Sequence, residues 1–95
     1  MSYLLAIDIG NTHVTVGVFR DAELTATWRL SSDSGRTDDE YLLMFAGLLE
    51  RRGLKMEEVT AVAICSVVPP LTDIVRRSLK DLTGCGWQTI LKCVF

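Results

Sequence analysis

Apolar and polar positions along the chain fall into stretches of two periods, and their order predicts the architecture. Leu4-Leu5-Ala6-Ile7 is a short unbroken apolar run, the pattern of a central strand covered on both faces. It stops at Asp8-Ile9-Gly10-Asn11-Thr12, where glycine and asparagine tolerate the backbone of a turn. Val14, Val16 and Val18 then alternate with Thr15, Gly17 and Phe19. After a polar turn at 20–23, Leu24, Ala26, Trp28 and Leu30 alternate with Thr25, Thr27 and Arg29. Period two with β-branched and aromatic residues predicts two more strands, and the short connections predict an antiparallel meander.

Beyond a loop rich in serine, aspartate and glycine at 31–36, the period changes. Thr37 and Glu40 have the spacing of a capping box, and Asp38 and Asp39 suit the positive end of a helix dipole. The helix is predicted to run to about Arg52, with Gly53 as a left-handed stop. Leu42, Leu43, Met44, Phe45 and Leu48 cover most of its wheel, which predicts cover on more than one face. One face would pack on the sheet, and the other needs a partner.

Val59 to Val68 reads as a second buried strand, ended by Pro69-Pro70. Pro70 suits the first turn of a second helix, with Leu71, Ile74, Val75, Ser78 and Leu82 on one face and Asp73, Arg76, Arg77, Lys80 and Asp81 in solvent. Gly84 ends it, and Trp87 to Val94 can add a last strand. The order β-β-β-α-β-α, with a helical crossover that sets the second buried strand parallel to the first, is an α/β, ribonuclease H-like arrangement with a mixed sheet. A ferredoxin-like fold would need a helix directly after the first strand. Residues 1–84 are expected to form one partial domain, and 85–95 an atypical tail.

Composition changes this picture little. The chain is 48% hydrophobic and 23% charged, with a net charge of −2, as ordinary globular proteins are. It has no basic stripe to neutralise a run of phosphates, which argues against nucleic acid. Its apolar runs fall far short of the roughly 20 residues that span a bilayer. Met1 to Leu5 lacks the features of a signal peptide, so a cytoplasmic location is expected, without a membrane. Cys65, Cys85 and Cys93 contain no C-x-x-C pair, and His13 is the sole histidine, which disfavours a zinc site. Reduced thiols are expected, with Cys65 a small buried hydrophobe.

The chemistry, if any, gathers at the end of the first strand. A carboxylate at Asp8 beside a tight glycine turn is what a site for phosphate and magnesium requires: turn N–H groups and hydroxyls for phosphate oxygens, the carboxylate for the metal. The same residue types also favour a plain hairpin turn. His13 could face a phosphate or act as a base, or simply sit at a strand edge. Thr12 and Ser66 have no histidine–carboxylate pair in evidence to activate them, which disfavours a hydrolase. Arg29 and Arg36 could steer an anion or be solvated. Ser66 to Pro70 falls at the carboxyl end of a parallel strand, where ligands bind in such sheets, and reads as site wall.

Asp8-Ile9-Gly10-Asn11-Thr12, with Gly17 and Phe19 behind it, resembles the first phosphate motif of the type III pantothenate kinases, members of the actin-like ATPase superfamily. Trp28-Arg29-Leu30-Ser31, Arg36-Thr37-Asp38-Asp39-Glu40-Tyr41 and Ser66-Val67-Val68-Pro69-Pro70-Leu71-Thr72 follow in that family's order. The resemblance covers about Leu4 to Leu82. It implies transfer of the ATP γ-phosphoryl group to pantothenate, giving 4'-phosphopantothenate in the first step of coenzyme A synthesis. It implies an ATP phosphate loop made of Asp8, Ile9, Gly10, Asn11, Thr12, His13, Val14 and Thr15, with Asp8 holding Mg2+ through water. It also implies a monovalent cation (K+ or NH4+) and a homodimer. His13 departs from the asparagine or related polar residue usual there in that family. The family's catalytic base, in a later Gly-x-Asp-Arg motif, its pantothenate site and its monovalent-cation ligands match nothing in these residues, so no catalytic residue is expected here and the 95 residues alone should be inactive. Gly86 to Phe95 departs from the family's continuation. A non-catalytic nucleotide-binding or regulatory module and another kinase of the superfamily are the alternatives.

Overall fold

A computed structural model describes residues 2–84 and the backbone of 90–93. The elements are β1 (Tyr3–Ile9), β2 (His13–Arg20), β3 (Glu23–Ser31), α1 (Asp38–Arg51), a 3-10 turn at Met56–Glu58, β4 (Val59–Ser66), α2 (Pro69–Thr83) and β5 (Ile90–Cys93). The strands form one sheet in the order β3-β2-β1-β4-β5. β2 pairs antiparallel with β1 and β3, while β4 runs parallel to β1 and β5 parallel to β4. The meander and the parallel return expected from the sequence are both present. β5 lies inside the stretch expected to add a last strand; Trp87 and Val94 are outside the described residues.

Period two decides which side chains enter the core. Leu5, Ile7 and Ile9 of β1, Val14, Val16 and Val18 of β2, and Val62 and Ile64 of β4 are all buried. They meet Tyr41, Phe45 and Leu49 of α1, spaced by four so that they share one helix face. α2 adds Leu71, Val75, Leu79 and Leu82 to the same core. Fully burying each large apolar side chain contributes roughly 1.5–3 kcal/mol.

The helix ends follow their local signals. Thr37 Oγ1 accepts the Glu40 N–H at 3.2 Å, and Glu40 Oε1 accepts the Thr37 N–H at 3.0 Å, closing the capping box read from the sequence. Gly53 takes φ 72° after α1, and Gly84 takes φ 72° after α2, the left-handed conformation that costs glycine least. α2 begins at Pro69, one residue before the expected Pro70, because proline at either first-turn position forfeits only an N–H that has no helical acceptor.

Three expectations need correction. The apolar run of β1 was expected to be covered on both faces, yet both helices lie on one. On the other face Leu4, Ala6, Thr15, Gly17, Phe19, Ala61 and Ala63 are half-buried, with no described element above them. Cys65 belongs to that face and is half-buried instead of being a core residue. In α2, Leu79 is buried and Ile74 only half-buried, and Arg76 has a side chain just 27% exposed. α1 also packs beside α2, while Leu43 on its outer side is 71% exposed.

Two substitutions separate these environments. Thr37→Ala removes the box and is expected to lower the unfolding free energy by about 1 kcal/mol in urea titration. Leu43→Ala should change it by less than roughly 0.5 kcal/mol, and a larger loss would reveal cover over that side of α1.

Candidate functional site

The sheet register brings the sequence-predicted residues together at one edge. Asp8 pairs across the sheet with Thr15 on β2 and with Cys65 on β4, and Thr15 pairs with Arg29 on β3. Cross-strand partners share a face, so Arg29, Thr15, Asp8 and Cys65 form a row on the face away from the helices. The next row is Thr27, Gly17, Ala6 and Ala63. Its small side chains leave a shallow groove of about 350 Å³ whose lining includes Asp8, Thr15, Phe19 and Leu24. A Cβ at Gly17 would stand 3.3 Å from Leu24 Cδ1 and 3.4 Å from Phe19 Cε2, so the missing side chain is what lets those two close in.

Asp8 is exposed while its neighbour Ile9 is fully buried. The buried residue anchors the strand end, and the carboxylate makes no hydrogen bond or ion pair among the described residues. Such a group is available to a ligand. No cluster of three or more His, Cys, Asp or Glu side chains exists among the described residues. A divalent ion here would therefore draw on one carboxylate, with other oxygens from a ligand and water, a donor set that suits Mg2+.

The connection after β1 is held from three sides. Gly10 N–H donates to His13 O at 2.9 Å, and Val67 N–H donates to Ile9 O at 3.1 Å. Ser32 contributes twice: its hydroxyl donates to Gly10 O at 2.6 Å and its N–H to Thr12 O at 2.9 Å. The amides of Asn11 and Thr12 have no hydrogen-bond partner among the described residues. Asn11, Thr12 and His13 are all exposed. A Cβ on Gly10 would lie 3.3 Å from His13 O, so the tight return favours glycine there.

Ser66 and Thr72 are buried at the base of this edge. Thr72 Oγ1 lies 2.6 Å from Ser66 Oγ and 3.1 Å from Val68 O, and Ser66 Oγ accepts the Val68 N–H at 3.0 Å. These hydroxyls fasten α2 to the end of β4. Pro69 and Pro70 deprive the first turn of α2 of two N–H groups, so that helix start is a poor anion site. Arg36 is tied back by its own loop. It donates to Ser31 O at 3.0 Å and lies 5.8 Å from the centroid of the Tyr41 ring. Tyr41 Oη in turn accepts the Asp33 N–H at 3.1 Å. Ser32 is the residue that sequence reasoning missed, because a serine inside a polar loop carries no local sign of a partner 22 positions away.

A mixed sheet in this strand order, with both described helices on one face and a carboxylate ending its first strand, defines an actin-like ATPase fold. Solved structures agree. A Bacteroides thetaiotaomicron protein described as having an actin-like ATPase fold and unknown function superposes with a TM-score of 0.63 at 6% identity, over 99% of this chain and 32% of its own. The ROK hexokinase from Thermus thermophilus gives 0.61 at 17% identity, over 97% of this chain and 35% of its own. The sequence is more specific than the fold: residues 4–93 match the model of the type III pantothenate kinase family, and the chain belongs to that family. A type III pantothenate kinase 1 from Symbiobacterium thermophilum is 45% identical, over 85% of this chain and 33% of that protein. The chain thus spans about a third of the length of the curated relatives it matches.

Thr72→Val leaves Ser66 without its closest hydroxyl partner and is expected to cost about 1–3 kcal/mol. Thr72→Ser, which keeps the hydroxyl, should cost less, as chemical denaturation of the two variants will read out.

Proposed function

We propose that Asp8 to Thr15 seat the triphosphate of ATP for the phosphorylation of pantothenate to 4'-phosphopantothenate, the opening step of coenzyme A biosynthesis. The observation that carries this is the unpaired, exposed Asp8 carboxylate beside a turn whose Asn11 and Thr12 amides are unbonded. Membership of the family supplies the reaction, since the relatives are named for it.

Phosphoryl transfer asks little covalent chemistry of a protein; positioning and neutralisation of charge do most of it. Amides of the turn and the Thr12 hydroxyl would bind phosphate oxygens, with Gly10 keeping the backbone close. Asp8 would hold Mg2+ through water, and the ion, when bound, neutralises charge on the phosphates. Ile9 and Val14 are buried anchors, and Thr15, paired with Asp8, stands beside the carboxylate. His13, exposed at the mouth of the turn, would contribute its backbone.

The pantothenate pocket and the catalytic base would come from parts of the enzyme outside these residues, because no Gly-x-Asp-Arg segment occurs in residues 1–95, and so would the ligands of a monovalent cation (K+ or NH4+). The complete enzyme would act in the cytoplasm as a homodimer. No helix among the described residues is long and apolar enough to cross a membrane.

A chimaera tests the assignment: residues 1–84 of this chain joined to the corresponding remainder of the Symbiobacterium thermophilum relative. Pantothenate-dependent ADP release that needs Mg2+ is expected, and Asp8→Asn should lower kcat/KM by roughly 100-fold or more with stability unchanged. The 95-residue chain alone should release no ADP in response to pantothenate. Full activity in the Asp8→Asn chimaera would remove Asp8 from the site.

A further inference from the structure

A trans peptide is planar, so the carbonyl of one residue and the N–H of the next point in opposite directions. Whatever grips the carbonyl therefore aims the amide. In the turn after β1, the peptide most in need of such a grip joins Gly10 to Asn11. Glycine has the freest backbone of any residue, and rotation of this peptide would exchange an N–H for a carbonyl oxygen at the surface. Facing an anion, that exchange replaces an attractive dipole with a repulsive one.

We propose that Ser32 is the positioning residue of this turn: its hydroxyl, donating to Gly10 O at 2.6 Å, holds the Gly10–Asn11 peptide with the Asn11 N–H directed away from Ser32 and available to a phosphate oxygen. Three further bonds act with it. The Ser32 N–H on Thr12 O sets the Thr12–His13 peptide in the same way. Val67 N–H on Ile9 O fixes the peptide before Gly10, and Gly10 N–H closes on His13 O. The carbonyls of Ile9, Gly10, Thr12 and His13 are thus all engaged by donors, while the adjacent amides of Asn11 and Thr12 are unbonded among the described residues, as is the Asn11 carbonyl. Two adjacent open amides in a turn with most of its carbonyls engaged favour an anion.

Ser32 is itself held in register. It follows directly on β3, whose last residue Ser31 pairs with His13. Beyond it, Tyr41 Oη accepts the Asp33 N–H at 3.1 Å, and Arg36 donates to Ser31 O at 3.0 Å. The loop from Ser31 to Arg36 is therefore a strap anchored on the buried Tyr41 of α1, and it reaches the turn through the hydroxyl and the N–H of Ser32.

The nucleotide part of this proposal rests on the triphosphate assignment, so the test reads the turn and the ligand separately. Amide hydrogen exchange and MgATP titration are followed by 15N NMR on the 95-residue chain with Ser32, Ser32→Ala and Ser32→Thr. Ser32→Ala keeps the backbone bond to Thr12 and loses only the hydroxyl. It should speed exchange of the Gly10 amide by roughly 3- to 10-fold and weaken MgATP by a similar factor, leaving the amides of Ile7 and Ile64 unchanged. Ser32→Thr should restore both. Unchanged Gly10 exchange in Ser32→Ala overturns the proposal, and so does a parallel rise at Ile7 and Ile64, which would mark a merely structural loss. Faster Gly10 exchange in Ser32→Ala, with no MgATP response in the parent chain, would refute the seating of a triphosphate while confirming the grip on the turn.

Discussion

β1 lies between an antiparallel and a parallel neighbour, and that double pairing fixes everything else at the site. Paired with β2 on one edge and β4 on the other through all of Tyr3–Ile9, the strand cannot slip by one residue without turning Leu5, Ile7 and Ile9 out of the core. Its phase is thus set by burial, and the phase puts Asp8 on the face opposite the helices. A solvent-facing carboxylate at the tip of a rigid strand follows from the packing of the three residues that alternate with it.

The turn beyond that strand inherits its rigidity from long-range contacts. Ile9 O is bonded by Val67 and Gly10 O by Ser32, so elements distant in sequence meet at one short connection. Two buried hydroxyls, Ser66 and Thr72, hold the start of α2 in the place that sets Val67. Sites that work by positioning benefit from such preorganisation, because the dipoles need not be rearranged when charge arrives.

The face that carries Asp8 is the open one. Half-buried small residues, Ala6, Gly17 and Ala63, pave it beside Phe19 and Leu24, and no described element covers them. Parallel strands are ordinarily covered on both faces. The chain corresponds to about a third of the length of the curated relatives it matches.

Local signals made most of the architecture legible. The alternation in β2, the capping box at Thr37 and the glycines at 53 and 84 each act within a few residues, so they can be read without knowing what lies across the sheet. The turn at Asp8 to Thr12 was legible for the same reason, as was the strand end at Ser66 to Pro70. Cys65 was not, because Ala61 to Cys65 is apolar at every position and nothing in it marks the uncovered face. Nor were Leu79 and Ser32. The sequence by itself determined the elements, their order and the carboxylate at the strand end, all consequences of periodicity and backbone preference. Only the tertiary structure decided which face of the sheet stays open and which donors grip the turn, since both depend on contacts between residues far apart in the chain.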